Sequence, residues 1–203
     1  MSAWAHRGRA WWMDALFMVG SFCFALGSVP GFADLVAPNT VVLIFFIGSL
    51  FFTSAAMLQY LEATDGRLRA WRPTDLAWAA AGIQLIGTLW FNITTAAARL
   101  SGLDAQQENL RVWSPDFIGS VCFLVASGLA VKSLSSPPWH AGRPWRVSAL
   151  NLLGSVFFMA SAIAAYVLPD TGDLLDASVA NSGTFLGAVC FLVAARIEIT
   201  PDE

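Results

Sequence analysis

The chain has 203 residues, 57% of them hydrophobic and only 12% charged, with a mean hydropathy of +0.63 and a formal charge of −3. That is too much apolar surface for an ordinary soluble domain, and nucleic acid is not expected as a partner. The apolar residues fall in runs of roughly 20, enough to cross a hydrocarbon core of about 30 Å at about 1.5 Å per residue, so the expected solvent is the bilayer and the expected fold all-α.

The first run covers residues 12–29. Arg7 and Arg9 before it and small residues at Gly27-Ser28 imitate a secretory signal, but the same pattern returns downstream, so the segment is read as an uncleaved first span. It stops at Pro30-Gly31, where a missing N–H and a permissive glycine favour a turn. Pro38-Asn39-Thr40 opens a second span ending near residue 61, and the short connection makes the two antiparallel neighbours. A polar stretch with Arg67, Arg69, Arg72 and Pro73 leads to Thr74-Asp75, expected to cap a third span over residues 75–98. Residues 99–114 read as a loop of mixed charge. Ser114-Pro115-Asp116 is expected to start span four, with a serine cap and proline in the first turn, and the span ends near Lys132. Residues 135–144 (SSPPWHAGRP) cannot continue a helix and read as a linker. Span five runs over residues 145–168, Pro169 to Asp173 turn the chain, and span six takes residues 177–196.

Orientation follows from the basic residues. A cytoplasmic N terminus places Arg7, Arg9, Arg67, Arg69, Arg72, Lys132, Arg143, Arg146 and Arg196 inside and leaves only Arg99 and Arg111 outside, the bias that sets topology in short loops. Trp4, Trp11, Trp12, Trp71, Trp78, Trp139 and Trp145 fall at or near the same boundary, where an amphipathic indole is best placed. The expectation is a multi-pass protein of a bacterial inner membrane with both termini in the cytoplasm.

A short pattern recurs in every span: Gly20-Ser21-Phe22-Cys23-Phe24, Gly48-Ser49-Leu50-Phe51-Phe52, Gly87-Thr88-Leu89-Trp90-Phe91, Gly119-Ser120-Val121-Cys122-Phe123, Gly154-Ser155-Val156-Phe157-Phe158 and Gly187-Ala188-Val189-Cys190-Phe191. Gly20, Gly87 and Gly154 are spaced by 67 residues, as are Trp11, Trp78 and Trp145. The chain therefore reads as one membrane domain over residues 1–203, built of three tandem two-helix hairpins at about residues 10–62, 74–134 and 145–197. On a helix of 3.6 residues per turn, positions +4 and +7 from each glycine lie within about 40° of it. One stripe thus alternates small, large, small, with Phe at +4 and Gly27, Ala55, Thr94, Ala126, Ser161 and Ala194 at +7. Helices in lipid associate through close packing at small residues, so a phenylalanine of one helix is expected to fill the recess over a neighbour's glycine. The alternative is a pseudo-threefold arrangement whose Ser/Thr positions line a central cavity.

Trp12, Phe17-Met18-Val19-Gly20-Ser21 with Phe24, the Pro-containing turn, and Phe45-Phe46-Ile47-Gly48-Ser49-Leu50-Phe51-Phe52 resemble the YrhK-like domain, a two-helix bacterial membrane module. The resemblance spans about residues 10–62 and fades over the later hairpins, where Gly87-Thr88 and Gly187-Ala188 depart from the Gly-Ser pair. It implies the hairpin fold and brings no activity or site residues.

A strongly polar residue inside a span is a functional candidate because its burial is costly. Gln84 and Asn151 stand three residues before the glycines of spans three and five, where span one has Phe17, and Asn92 with Thr94 and Thr95 makes span three the most polar. Asp116 has the same offset from Gly119; it reads as a first-turn carboxylate favoured by the helix dipole or as a cation or proton site. Asp14 reads as a capping or interfacial residue. Arg9, Arg69, Arg72, Arg143 and Arg146 alternate with tryptophan as beside anionic headgroups. Cys23, Cys122 and Cys190 read as buried free thiols. Asp170, Asp173 and Asp176 lack the later glutamate of a calcium loop, His6 and His140 lie outside the spans, and no Walker, GxSxG or HExxH constellation is present. No cofactor, metal or enzymatic activity is expected. The functional expectation is a non-catalytic structural or accessory membrane subunit, in contact with lipid and with a membrane partner or further copies of itself. The alternative is a small channel, transporter or binding protein with Gln84, Asn92, Asn151 and Asp116 lining its site.

Overall fold

The structure, a computed structural model, describes residues 3–69, 72–134 and 142–199. Trp71, Trp139, His140 and most of the Pro-rich linker lie outside the described residues. The elements are α1 (Ala3–Gly27), a single turn α2 (Phe32–Leu35), α3 (Pro38–Ala63), α4 (Leu76–Ala97), a short α5 (Ala105–Glu108), a π-helical segment (Asn109–Trp113), α6 (Ser114–Lys132), α7 (Arg143–Ala164) and α8 (Ala177–Ile199). Six segments, 20 to 28 residues long, are apolar enough to cross a membrane, and the chain is an all-α, multi-pass integral membrane protein.

Local chemistry explains most boundaries. Asp75 caps α4 as expected, its carboxylate accepting from the N–H groups of Ala77 at 2.9 Å and Trp78 at 3.2 Å. Pro38 stands in the first turn of α3, where its missing N–H costs nothing. The start of span four is a correction. Ser114 is not a cap. The helical path begins at Asp104, which forms a reciprocal capping box with Gln107. Pro115 has no N–H for the carbonyl four residues back, and the backbone answers by widening: the Ser114 N–H reaches Asn109 instead. The Ser114 hydroxyl donates to that same carbonyl at 2.7 Å. Span five also ends early, at Ala164, because residues 165–176 fold into a tight turn. There Leu168 N–H donates to Asp173, Leu175 N–H to Tyr166, and Gly172 sits at φ 75°.

α1 packs on α3, α3 on α4, α4 on α6, α6 on α7, α7 on α8, and α8 back on α1, so the long helices close a ring in chain order. Hydroxyls stitch three of its seams. Ser49 and Thr95 share a 2.9 Å hydrogen bond across α3 and α4, Ser127 and Ser155 one of 2.7 Å across α6 and α7, and Ser161 and Thr184 one of 2.7 Å across α7 and α8. The α8–α1 seam has Ala188 where its counterparts carry a hydroxyl, and Ser21 Oγ is buried without a partner among the described residues.

Within each hairpin the glycines and phenylalanines exchange places. A Cβ added to Gly20 would stand 2.9 Å from the Phe52 ring, and one on Gly48 3.1 Å from the Phe24 ring. Gly87 meets Phe123 at 2.8 Å while Gly119 meets Phe91 at 3.0 Å; Gly154 meets Phe191 at 2.9 Å while Gly187 meets Phe158 at 2.6 Å. Each distance is below ordinary carbon–carbon contact, so even a methyl group there forces a shift costing about 1–3 kcal/mol. Cys23, Cys122 and Cys190 are half-buried rather than buried, the Cβ atoms of the first two against Gly48 and Gly87. The outer face of the ring is apolar, with Phe22, Ile86, Leu89, Ile93, Leu153, Val156 and Ile163 all exposed, as a lipid-facing girdle requires.

Candidate functional site

The axis of the ring is closed at mid-height by six phenylalanines, one from each long helix. Phe24, Phe91 and Phe158, from α1, α4 and α7, form a triangle with centroids 6.4, 6.3 and 6.1 Å apart. Phe52, Phe123 and Phe191, from α3, α6 and α8, form a second with separations of 6.1, 6.0 and 5.6 Å. The layers touch through hairpin partners at 5.5, 5.0 and 5.5 Å. Edge-to-face and tilted pairs of this kind contribute about 0.5–1.5 kcal/mol each beyond area burial. Of the hydroxyls that follow the glycines, Ser120 borders a small recess among the rings and the rest line no central cavity among the described residues. They are buried between helices, and the +4 rings take the axis.

The plug separates two chambers. One opens toward the end of the bundle where α1 begins and α8 finishes, here the terminal end. It has a volume of about 240 Å³. Its lining comes from the early part of α1, α4 and α7 and the late part of α3, α6 and α8, which shows successive long helices running in opposite directions. Phe17 and Phe191 floor it. Its polar groups are Asp14, Gln59, Gln84, Ser148, Asn151 and Glu198. Asp14 is only 5% exposed, and none of Asp14, Gln59, Gln84, Ser148 or Asn151 makes a side-chain hydrogen bond among the described residues. Gln59 Oε1 is buried without a partner. Arg143 stands beside the chamber and donates to the backbone carbonyl of Glu198.

The second space lies beyond the Phe24, Phe91 and Phe158 triangle. It comprises a cavity of about 170 Å³ and a smaller recess of about 40 Å³ that reaches between the rings as far as Phe52 and Phe123, both bordered by Asp116 and Thr184. Its hydroxyls are already engaged. Thr94 donates to Val112 at 2.9 Å, Thr95 to Phe91 at 2.8 Å, and Ser161 bonds both Ala180 at 2.5 Å and Thr184 at 2.7 Å. Asp116 is the exception, with no hydrogen-bond partner among the described residues.

The four candidate polar residues are not brought together. Gln84 and Asn151 share the terminal chamber, Asp116 lies on the other side of the plug, and Asn92 sits between α3 and α4, donating to Thr53 at 2.8 Å. Asp14 is a correction: it faces the terminal chamber rather than capping a helix or meeting the interface. Gln59 and Glu198 went unread, although both stand eleven residues after a glycine, on the +4/+7 stripe one turn further on. Of the five arginines assigned to headgroups, Arg9 pairs with Glu62 at 3.1 Å, Arg72 with Asp65 at 2.5 Å, and Arg143 holds the end of α8. Arg69 and Arg146 are exposed. Among the described residues no three His, Cys, Asp or Glu side chains stand together as a metal site. No protein-family model, curated protein or solved structure matches the chain.

Proposed function

We propose that the protein is a non-catalytic accessory or structural subunit of a bacterial inner membrane, a sealed ring that offers an apolar outer face to lipid and to a membrane partner or another copy of itself. The observation that carries this reading is the six-ring plug: a conduit along the axis would have to part all six phenylalanines. The three hairpins are read as tandem copies of one YrhK-like unit, supported by the reciprocal glycine–phenylalanine contacts inside each. Both termini are placed in the cytoplasm, because the terminal end gathers Arg9, Arg67, Arg69, Arg72, Lys132, Arg143, Arg146 and Arg196.

Flux measurements test the seal. Liposomes carrying the protein are expected to release ions and small neutral solutes no faster than empty liposomes, and a Phe123→Ala, Phe158→Ala double variant to leak. Solute-selective flux through the wild-type protein would overturn the reading. Reporter fusions at either terminus that respond only outside the cytoplasm would overturn the orientation.

A further inference from the structure

We infer that the terminal chamber is a binding site for a small organic ammonium ion, a primary amine with a short apolar chain. The chamber is rich in acceptors that the protein leaves unused. Asp14 is nine-tenths buried, faces the cavity and has no hydrogen-bond partner among the described residues, and Gln59 Oε1 is buried in the same state. Glu198 adds a second carboxylate at the rim. A buried carboxylate that accepts no hydrogen bond is strongly unfavourable in a low-dielectric interior, and a bound cation that donates hydrogen bonds to it offsets that cost. Among the described residues Arg143 is the guanidinium bearing on Asp14, and it is tied to the last turn of α8. Among the described residues that line the chamber or bear on Asp14, one cation stands against two carboxylates.

The shape selects among cations. With no three ligating side chains together among the described residues, the chamber lacks the compact oxygen cage that a bare divalent ion needs. It offers instead two carboxylates, an apolar floor of Phe17 and Phe191, and Met13 and Val147 on its walls. An ammonium head at Asp14, with Gln84 and Asn151 amide oxygens beside it, leaves the chain to pack on the floor rings, whose faces favour positive charge. At about 240 Å³ the space is smaller than pockets for drug-sized molecules, so the fit is to a ligand of few heavy atoms. All six long helices contribute to the lining, and occupancy therefore stabilises the closed ring as a whole.

Purified full-length protein in nanodiscs, titrated with n-butylammonium and with n-butanol as its uncharged counterpart, decides the point. Butylammonium is expected to bind saturably and raise the thermal midpoint, butanol to do neither. Asp14→Asn is expected to weaken binding by about thirtyfold or more, the loss when one partner of a buried charged contact is removed, whereas Asp116→Asn across the plug leaves it unchanged. Should Asp14→Asn not fold, Asn151→Leu, which narrows the chamber and removes an amide acceptor without touching a charge, is expected to weaken binding, and unchanged affinity overturns the assignment. Absence of saturable binding, equal response to butanol, or equal weakening by Asp116→Asn overturns the assignment, as does potassium binding in place of butylammonium. Solute flux does not bear on it, since a sealed ring can hold a ligand on one side.

Discussion

The two chambers flanking the phenylalanine plug are built from the same register positions and differ in what their polar groups already do. Three residues before each glycine, the terminal chamber receives Phe17, Gln84 and Asn151, and the opposite cavities receive Phe45, Asp116 and Thr184. Each set has one phenylalanine, from the first hairpin, packed against the plug: Phe17 edge-on to Phe52 at 5.7 Å and Phe45 tilted against Phe24 at 5.4 Å. On one side the hydroxyls close on backbone carbonyls and on one another, so little is left for a ligand. On the other side the amides and Asp14 find no such partners among the described residues. Polarity inside a membrane protein thus does two jobs, and the difference lies in satisfaction rather than in position. A hydroxyl can turn back on its own helix, four residues away; an amide or carboxylate on a longer stem projects into the chamber instead.

Removing the plug is the severest way to break this comparison. Phe123 is 1% exposed and touches Phe52, Phe91, Phe158 and Phe191. Phe123→Ala is expected to cost about 3–5 kcal/mol, read as a lower midpoint in detergent denaturation. It is also expected to join the chambers, so that a water-soluble thiol reagent reaches Cys122 from both faces. Next comes the glycine contact. Gly87→Leu would drive a side chain into Cys122 and Phe123 from 2.9 and 2.8 Å and should destabilise by about 1–3 kcal/mol or more. Gly128, in the same membrane region but with nothing within 4 Å of a built Cβ, is the control. Gly128→Ala should stabilise by about 0.5–1 kcal/mol through helix propensity.

A smaller effect separates the two carboxylates. Neutralising Asp14 removes a buried charge without breaking a bond, so Asp14→Asn is expected to raise the midpoint of ligand-free protein by the equivalent of about 1 kcal/mol. Asp116→Asn should raise it less, because Asp116 is less buried than Asp14. A drop with Asp14→Asn would mean that the carboxylate is held by a partner. Smallest of all, Ser21→Ala deletes a buried hydroxyl that bonds nothing, and its midpoint should stay within about 0.5 kcal/mol of wild type or rise. By contrast Ser155→Ala, which strips a 2.7 Å bond from Ser127, should cost about 1 kcal/mol.

Much of the fold was legible because membrane helices advertise themselves by length, and the packing stripe because its glycines and phenylalanines keep one offset. The recess-filling role of Phe91 and Phe123 followed from that offset alone. Two boundaries were missed for physical reasons. Ser114-Pro115 has the composition of a helix start, but Asp104 had already opened the helix and a single wide turn absorbed the proline. Residues 165–168 are apolar enough to prolong a span, yet tertiary hydrogen bonds hold them elsewhere: the Asn109 side chain donates to Val167 O at 2.7 Å and accepts from Val167 N–H at 2.9 Å. The candidate site was legible only in part. Gln84 and Asn151 were found as deviations from the stripe, whereas Asp14, so near the chain's basic start, looked interfacial. Which end of the bundle a polar residue faces depends on helix direction as well as offset, and the four candidates were pooled without it.

The reciprocal contact between Gly87 and Phe123, and its counterpart between Gly119 and Phe91, couples positions that lie 36 and 28 residues apart into one unit of inheritance. A larger residue in place of either glycine is tolerated only if the facing ring shrinks at the same time. Among descendants of this chain, each such pair should therefore change together or not at all, leaving a covariation signature of six linked pairs, two in every hairpin.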